Sequence, residues 1–354
     1  MGNLEVSDFW SGKTVLVTGT TGFKGSWLSL LLTELDANVV GLALPPDTAP
    51  SLFEQLNLAA RMDHRVGDIR DASLVAELVK EVQPDLLFHL AAQPLVRRSY
   101  SEPLLTWETN VIGTANVLDA MRHCNSICAA VMVTTDKVYE NREWVHAYRE
   151  TDRLGGHDPY SASKAATELV VSSYRRSYFR DRPVRIASAR AGNVIGGGDW
   201  AAERIVPDLM RSLASGGVLQ VRNPYAVRPW QHVLDPIWAY LSLAEKLYKY
   251  EVKPAAWNFG PEPKDQRTVR ELIETAFRDW AGEWKDVSDP SAPHEANRLA
   301  LTIDKARSEM GWSPRWTFDD AVRETVSWYR AVHEGRSPLE VTLSQIDAFR
   351  AARP

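Results

Sequence analysis

Two side chains four residues apart, Tyr160 and Lys164, could carry out acid–base chemistry. They lie in the segment YSASK at the start of a strongly helical stretch, so both emerge on the same face of the helix. A phenol has an ordinary pKa near ~10, and a neighbouring ammonium favours its ionised form. Tyr160 therefore becomes a usable base toward a substrate hydroxyl. Because Y-x-x-x-K is common on helices by chance, the surrounding motifs decide its meaning.

A second polar cluster, Thr135, Asp136 and Lys137, directly follows the apolar run 129–133. At the end of a buried strand these side chains point into a crevice, where the Thr135 hydroxyl could share a substrate proton with Tyr160. The alternative is that Asp136 and Lys137 form a solvated ion pair in a turn, which contributes little to stability.

Three glycines, Gly19, Gly22 and Gly25, form the segment GTTGFKG between an apolar run and a helical pattern. Missing side chains permit a tight turn that brings a pyrophosphate against a helix N-terminus. The spacing is G-x-x-G-x-x-G rather than G-x-G-x-x-G. The alternative is that the glycines form a purely structural turn. Because the segment lies at the first strand-to-helix junction, however, it predicts a dinucleotide site.

The adenosine end of that site departs from the usual pattern. Residues 41–46 read GLALPP, with neither the acid that holds ribose hydroxyls nor an Arg for a 2′-phosphate. The sequence therefore favours NAD over NADP, with the ribose held by other groups. Asp68, in GDIR, is expected to accept the adenine amino group, with a simple acid at a helix N-terminus as the alternative.

Strands and helices alternate along the first ~190 residues. The pattern predicts strands at 13–18, 38–43, 85–90, 129–135 and 184–189, with a third strand before Asp68, and helices at 23–36, 72–82, 108–122 and 160–178. Such strands, each followed by a helical crossover, indicate a doubly wound α/β fold of the Rossmann type with a parallel sheet.

After Gly192 the pattern changes to short, Pro-interrupted segments, and Gly196, Gly197 and Gly198 are expected to form a flexible turn. We predict a smaller mixed C-terminal lobe that closes a ligand cleft over the sheet. The expected division is a cofactor domain of residues 1–195 and 228–258, and a substrate lobe of residues 196–227 and 259–354.

Composition excludes several classes of protein. The net charge is 41 − 46 = −5, without a basic stripe, so a nucleic-acid partner is not expected. No apolar run approaches the ~20 residues that span a bilayer, which predicts a cytoplasmic protein without membrane contact. Cys124 and Cys128 are too few for a disulfide framework or a zinc site, and no metal site is predicted.

Five segments together, GTTGFKG, HLAAQ, TTDKVY, YSASK and AGNVIGGGDW, resemble the extended short-chain dehydrogenase/reductase superfamily, in particular its nucleotide-sugar enzymes. The resemblance covers nearly the whole chain. Asp136 after Thr135 resembles the sugar-nucleotide 4,6-dehydratases, whose usual motif is T-D-E. Lys137 in place of Glu, together with GGGDW, RPWQHVLD and HEANRLAL, is similar to the dehydratases that act on CDP-glucose.

The resemblance implies a reaction in which bound NAD⁺ oxidises C4, water leaves across C5 and C6, and C6 is reduced, giving CDP-4-dehydro-6-deoxyglucose for surface polysaccharide such as O-antigen. It implies that Tyr160 is the base at O4, Lys164 holds the nicotinamide ribose, and a protonated Asp136 is the acid at O6. Lys137 is either the C5 base or an electrostatic stabiliser of the enolate. A nucleotide-sugar 4-epimerase, a dehydratase of another sugar nucleotide and a nucleotide-sensing binding protein stay open as alternatives.

The resemblance also implies the binding residues and the assembly. Arg204 and Arg228 are expected to grip the diphosphate. Either Trp230 or Trp257 could stack on a base or ribose, and one of the two is expected to pack in the core. Relatives pair through two long sheet helices, which implies a homodimer or homotetramer. The expected cofactor contacts besides Tyr160 and Lys164 are Gly19, Thr21, Gly22, Phe23, Lys24, Gly25, Asp68, Ile69, Leu90, Ala91, Ala92 and Gln93. The expected substrate contacts are Asn193, Arg204, Arg228, His294 and Glu295.

Overall fold

The computed structural model describes residues 8–289 and 298–352. Within these residues the strands are β1 (Thr14–Thr18), β2 (Asn38–Ala43), β3 (Asp63–Val66), β4 (Leu86–His89), β5 (Ala129–Val133), β6 (Arg185–Ala191), β7 (Val194–Ile195), β8 (Val218–Val221), β9 (Val227–Arg228), β10 (Gln231–His232), β11 (Ala256–Phe259), β12 (Arg267–Thr268) and β13 (Glu283–Asp286). The α-helices are α1 (Phe23–Thr33), α2 (Leu52–Gln55), α3 (Ala72–Val82), α4 (Val96–Ser101), α5 (Pro103–Trp107), α6 (Gly113–Arg122), α7 (Pro159–Ser177), α8 (Ile205–Ser215), α9 (Leu234–Tyr248), α10 (Val269–Asp279), α11 (Phe318–His333) and α12 (Pro338–Ala351).

Seven strands form one parallel sheet in the order β11-β6-β5-β4-β1-β2-β3. The central strands are apolar and buried on both faces, as a parallel sheet covered by helices requires. One core lies between the sheet and α3, α6 and α7, and a larger one lies on the side of α1 and α9. The strand order changes direction at β1: β2 and β3 lie on one side of it, and β4, β5, β6 and β11 lie on the other. This switch point, between β1 and β4, creates the crevice where ligands bind in such folds. The predicted doubly wound sheet is confirmed.

Three two-stranded pairs lie outside the main sheet. β7 pairs with β10 and β8 with β13 in parallel, whereas β9 pairs with β12 antiparallel. The residues predicted for the smaller mixed lobe contain α8, α10, α11, α12 and the β8–β13 pair, whereas β7 and β10 both fall within the residues predicted for the cofactor domain. Among the described residues, no helix combines the length and the apolar character needed to cross a bilayer.

The three glycines at 196–198 are buried and tightly packed, so the expectation of a flexible turn is wrong. A Cβ on Gly197 would lie 2.0 Å from Cγ of Trp328, and one on Gly198 would lie 2.4 Å from Cδ1 of Leu52. The indole of Trp27 in α1 also donates to the Gly197 carbonyl at 2.9 Å. Glycine is needed here because the backbone passes between side chains, and these contacts fix the segment.

Two predicted helices differ from the structure at their ends. α1 stops at Thr33 rather than residue 36, where Asp36 has a φ of +56°. The helix predicted for 108–122 begins as a π-helical turn, Glu108–Ile112, before α6. Such turns commonly occur beside functional sites, and Thr109 of this one lines the crevice.

Candidate active site

A cleft of about 1250 Å³ lies at the carboxyl ends of the strands, between the sheet and the smaller lobe. Single ligand pockets usually measure about 300–1,000 Å³, so this cleft has room for a dinucleotide and a second nucleotide together. The predicted cofactor contacts that line it are Gly19, Thr21, Gly22, Phe23, Lys24, Gly25, Asp68, Ile69, Leu90, Ala91, Ala92, Gln93, Tyr160 and Lys164.

The glycine turn forms a cradle that no larger residue fits. Gly19 has a φ of +80°, and a Cβ there would lie 2.6 Å from the Ala91 nitrogen. A Cβ on Gly25 would lie 2.0 Å from the Gly19 oxygen. The open backbone leads into the N-terminus of α1, whose amide groups and dipole attract anions. The geometry therefore fits the pyrophosphate of a dinucleotide.

The end of the cleft where the sequence analysis expects the adenosine is lined by two acids, Asp47 and Asp68, of which the sequence predicts only Asp68. Asp68 accepts two bonds from the Arg70 guanidinium, at 2.6 and 2.9 Å, and this ion pair keeps the pKa of Asp68 below its usual value. Asp47, which is exposed and lies four residues beyond the end of β2 at Ala43, also lines the cleft. Sequence reasoning missed Asp47, because it looked for an acid only directly after the strand.

The start of α7 sets the positions of Tyr160 and Lys164. Asp158 caps the helix by accepting from the Ser161 amide at 2.9 Å, and Pro159 occupies the first turn. Both predicted catalytic side chains line the cleft and are buried. Lys164 Nζ donates to the Val133 carbonyl at 3.3 Å, and burial lowers its pKa to about 8.

The phenol of Tyr160 is less acidic than the sequence argument expects. Burial raises the pKa of Tyr160 to about 12, which outweighs the opposite effects of the Thr135 hydrogen bond and the Arg204 charge. The expected acidification by Lys164 does not dominate, because removal from water penalises the phenolate more. Ionisation of Tyr160 therefore needs further help inside the cleft.

Thr135 and Asp136 lie next to Tyr160 at the end of β5. The Thr135 hydroxyl donates to Asp136 Oδ1 at 3.0 Å, and Asp136 is only 1% exposed. Burial raises the pKa of Asp136 even though Lys137, Arg228 and Lys24 carry charges that lower it. Its Oδ2 has no hydrogen-bond partner among the described residues. The arrangement suits a carboxyl that holds a proton and donates it.

Residues 16–325 match the family described as GDP-mannose 4,6 dehydratase. The chain belongs to this family. It is 45% identical over 98% of its length to the CDP-glucose 4,6-dehydratase of Salmonella typhimurium, of which it covers 98%. It is also 33% identical to the dTDP-glucose 4,6-dehydratase of Streptomyces antibioticus, covering 92% of this chain and 95% of that one. The family predicted from the sequence motifs is confirmed.

Solved structures agree with this fold. The dTDP-glucose 4,6-dehydratase of Streptomyces venezuelae, solved with NAD and TYD bound, matches with a TM-score of 0.78 and 28% identity, covering 92% of this chain and 99% of that one. The UDP-glucose 4-epimerase of Thermotoga maritima matches with a TM-score of 0.77 at 22% identity, covering 90% and 99%, which shows the shared fold alone.

Three of the predicted substrate residues, Asn193, Arg204 and Arg228, line the cleft. Arg204 is paired with Asp199 at 2.9 Å, and the largely buried Arg228 donates to the Val227 carbonyl. Asn193 lines the same wall. His294 and Glu295 lie outside the described residues. Asp199, which the sequence analysis did not single out as a site residue, orients Arg204; its only sequence signal is its place in GGGDW.

Three rings near the site are buried. His89 bonds Thr18 Oγ1 at 2.7 Å through Nδ1 and Thr114 Oγ1 at 3.0 Å through Nε2, which is the environment of a core histidine rather than a catalyst. Trp230 and Trp257 are both buried, but Trp230 also reaches the cleft wall. Trp230 and Trp257 therefore both pack in the core, whereas the sequence predicts core packing for only one of them.

Asn110 is a positioning residue that sequence reasoning missed. Its side chain accepts from the Gln93 amide at 2.8 Å and donates to Ser163 Oγ at 2.9 Å. It thus links the cofactor loop to α7, between Tyr160 and Lys164. Its sequence signal is weak: asparagine inside a helix favours other conformations, so such a residue often has a specific partner.

Proposed function

We propose that this chain is an NAD-dependent hydro-lyase that converts CDP-glucose to CDP-4-dehydro-6-deoxyglucose and water. The observation that carries the proposal is the buried Asp136 carboxyl beside Tyr160 and Lys164, because its raised pKa suits an acid that protonates a leaving hydroxyl. The 45% identity to a CDP-glucose 4,6-dehydratase supports the choice of substrate. A role of the product in deoxysugar supply for surface polysaccharide is part of the same proposal.

The first step requires a base at O4. Tyr160 removes the O4 proton while Thr135 hydrogen-bonds the same region, and Lys164 binds the nicotinamide ribose from the opposite end of the helical turn. When bound, NAD⁺ supplies the redox chemistry of the cycle by oxidising C4 and later reducing C6. Ionisation of Tyr160 becomes easier when a cation lies nearby, and Arg204 is already placed to lower its pKa.

Elimination requires an acid and a base on neighbouring carbons. Asp136 protonates the departing O6, and Lys137 removes the C5 proton that the C4 ketone has made acidic. Lys137 lines the cleft directly after Asp136, which suits a base acting on the adjacent carbon. An ammonium has no lone pair to offer, so this role requires the neutral form of the Lys137 amine.

The cofactor and the sugar nucleotide are proposed to occupy different parts of the cleft. The proposed cofactor domain comprises residues 1–195 and 228–258, and the proposed substrate lobe comprises residues 196–227 and 259–354. The sugar nucleotide is proposed to lie between them, in contact with Asn193 and Arg228 of the cofactor domain as well as with the lobe. Arg204 and Arg228 bind the diphosphate with Asn193 beside them, since guanidinium groups match phosphate oxygens in pairs. His294 and Glu295 are proposed to contact the nucleotide. Asp47 is proposed to hold the adenosine ribose in place of the missing strand-end acid.

The proposal is tested by incubating the purified protein with CDP-, dTDP-, UDP- and GDP-glucose in parallel. The alkali-induced absorbance of a 4-keto-6-deoxy sugar is expected with CDP-glucose. A strong signal with another donor and none with CDP-glucose overturns the substrate assignment. Interconversion of C4 epimers without any keto product overturns dehydration itself.

We also propose self-association through the helical face of α5, the π-helical turn and α7. Large apolar side chains are exposed there: Leu104 is 76% and Leu169 62% accessible, and Ile112 and Trp107 lie on the same group of contacting helices. Contiguous exposed apolar surface commonly marks an interface. The double variant Leu104→Glu/Leu169→Glu is expected to reduce the mass in light scattering to that of one chain, whereas Val218→Glu on β8 is expected to leave it unchanged.

A further inference from the structure

One oxygen of the Asp136 carboxyl is left unused by the described part of the chain. Oδ1 accepts the hydrogen of the Thr135 hydroxyl at 3.0 Å, whereas Oδ2 is buried and has no hydrogen-bond partner there. A protonated carboxyl has a single hydrogen to donate. Because Oδ1 already accepts a hydrogen, the acid proton belongs on Oδ2. In the proposed reaction the partner of Oδ2 is O6 of the sugar.

Gly192 lies beside this oxygen because of the register of the central sheet. Val133 of β5 pairs with Ala189 of β6, and Asp136 and Gly192 each follow their paired residue by three positions. A Cβ on Gly192 would lie 3.1 Å from Asp136 Oδ2. The two oxygens of an O–H···O hydrogen bond are about 2.5–3.0 Å apart. A side chain at position 192 would therefore fill space directly beside Oδ2, where a bound hydroxyl must approach.

Pro229 closes the other side of Gly192. Its Cγ would lie 2.6 Å from the same Cβ, and the closed proline ring cannot rotate aside. The Gln231 amide donates to the Asn193 carbonyl at 3.1 Å, and β10 pairs with β7, so the segment after Pro229 is held beside Gly192. A methyl group added at position 192 therefore has no free space and presses on the Asp136 carboxyl.

Gly192 also belongs to the part of the cleft where the sugar is proposed to react. Gly192, Asp136, Lys137 and Tyr160 all line this cleft. With Tyr160 at O4 and Lys137 at C5, the hydroxymethyl group on C5 lies toward Asp136. The bare backbone of Gly192 leaves room for that group against Oδ2.

We propose that Gly192 selects sugars with a C6 hydroxymethyl group, because its missing side chain leaves Asp136 Oδ2 open to O6. During elimination the O–H bond on Oδ2 breaks as the proton moves to O6, and water leaves with the electron pair of the C6–O6 bond. The electron pair of the C5–H bond forms the C5=C6 double bond, and the base at C5 takes the proton. Gly192 is thus a specificity-determining residue that acts through the space it leaves free.

The inference rests on the proposed function, and it is tested with two ligands that differ only at C6. CDP-xylose is CDP-glucose without the hydroxymethyl group on C5. Gly192→Ala is expected to lower kcat/KM for keto-deoxy product from CDP-glucose by about tenfold or more, as one methyl group in a packed site commonly does. The dissociation constant of CDP-xylose is expected to be the same for variant and wild type. Titration calorimetry measures it with reduced cofactor bound, which prevents oxidation of the sugar.

Gly260→Ala is the matched control. Phe259 of β11 pairs with Ala191 of β6, so Gly260 and Gly192 occupy equivalent positions at the ends of neighbouring strands. A Cβ on Gly260 would have only ordinary contacts, at 3.7 and 3.8 Å. This variant is expected to change neither the turnover of CDP-glucose nor the binding of CDP-xylose.

A second variant covers the case in which the melting temperature shows that Gly192→Ala disturbs folding. Gly192→Ala/Pro229→Ala removes the clash with the proline ring and keeps the methyl group beside Oδ2. Compared with Pro229→Ala alone, it is expected to show the same selective loss with CDP-glucose. Equal losses with both ligands, or undiminished turnover of CDP-glucose, overturn the inference. Wild type that forms no keto-deoxy product from CDP-glucose refutes the proposed function instead.

Discussion

At the scale of single residues, one buried carboxyl separates water elimination from C4 oxidation. Asp136→Asn keeps the shape of the side chain but removes the acid, so we expect the turnover number for keto-deoxy product to fall by about 10²–10⁴-fold. Reduced cofactor should accumulate, because C4 oxidation does not need this acid. The experiment measures the absorbance of the reduced cofactor and the amount of keto-deoxy product in the same reaction.

The pH dependence of water elimination follows from the direction in which the pKa of Asp136 is shifted. Burial raises the pKa of Asp136, so elimination requires pH below that raised value and declines as pH rises through it. Asp347→Asn, a change at an exposed aspartate on α12, is the matched control and should leave both readouts unchanged. Rapid elimination by Asp136→Asn would assign the acid to another group.

Lys137 can act in one of two ways, as the base at C5 or as an electrostatic stabiliser of the enolate, and a single substitution distinguishes them. Lys137→Met removes the amine, and a base role predicts that solvent deuterium incorporation at C5 falls by about 10²-fold or more while C4 oxidation continues. Mass spectrometry of the product in heavy water measures this. Lys285→Met, at an exposed position on β13, serves as control. Undiminished C5 exchange in Lys137→Met would instead support electrostatic stabilisation of the enolate.

At the scale of elements, a buried ion pair fixes α7 against the strands that carry the site. Glu168 follows Lys164 by one helical turn and binds Arg190 of β6 at 2.8 Å, with both side chains 4% exposed. It also accepts from Thr134 at 2.6 Å. Burial alone raises the pKa of Glu168, but Arg190 and the hydroxyl groups hold it below its usual value.

Removing one partner of this pair should be costly. Glu168→Gln leaves the Arg190 charge buried without its counter-ion, and we expect the free energy of unfolding to fall by about 3–5 kcal/mol. The matched control is Glu334→Gln, which breaks the exposed pair with Arg330 at 2.9 Å and should change stability by less than about 1 kcal/mol. Denaturant titration measures both, and equal losses would contradict a special role for the buried pair.

The elements also show what sequence can and cannot predict. The strands and the start of α7 follow from local signals, since apolar runs, Pro159 and the capping Asp158 act over a few residues. The turn around Asn110 could not be predicted in the same way, because its partners Gln93 and Ser163 are distant in the chain. The segment around Gly197 likewise depends on Trp328, which lies 131 residues further along.

The same distinction holds inside the site. Thr135, Asp136, Tyr160 and Lys164 are identified by type and spacing, because their chemistry is local to two motifs. The protonation states of these side chains cannot be predicted in this way, because the degree of burial decides them. The pKa of Tyr160, for example, is raised where the sequence argument expects it to be lowered. Charge partners such as Asp199 for Arg204 require the folded path of the chain.

At the scale of the whole molecule, hydrogen bonds attach the C-terminal segment to α9 and to the wall of the cleft. The backbone amide of Arg315 donates to Asp235 at the start of α9, at 2.7 Å. The Arg315 guanidinium donates to the Phe349 carbonyl at 3.0 Å near the end of α12. Tyr329 of α11 donates to the Asp199 carbonyl beside the cleft. Unfolding of this segment therefore disturbs both the core and the wall that holds Arg204.

Asp235 makes the stability of this junction depend on pH. It is fully buried, its Oδ2 has no hydrogen-bond partner among the described residues, and burial raises its pKa to about 7. An unfolded aspartate has a pKa of about 3.9, so between about pH 4 and pH 7 the folded state binds more protons than the unfolded state. The contribution to the free energy of unfolding therefore falls as pH rises through this window, by at most about 1.4 kcal/mol per pH unit.

Asp235→Asn supplies a neutral side chain that keeps the acceptor for the Arg315 amide. We expect its melting temperature to match that of wild type near about pH 4 and to exceed it increasingly up to about pH 8, because only the wild-type side chain ionises, first in the unfolded and then in the folded state. Asp347→Asn, exposed on α12, should show no such pH-dependent difference. If Asp235→Asn and wild type lose stability in parallel over this range, Asp235 does not titrate in the folded protein and the junction owes its stability to packing around Arg315 alone.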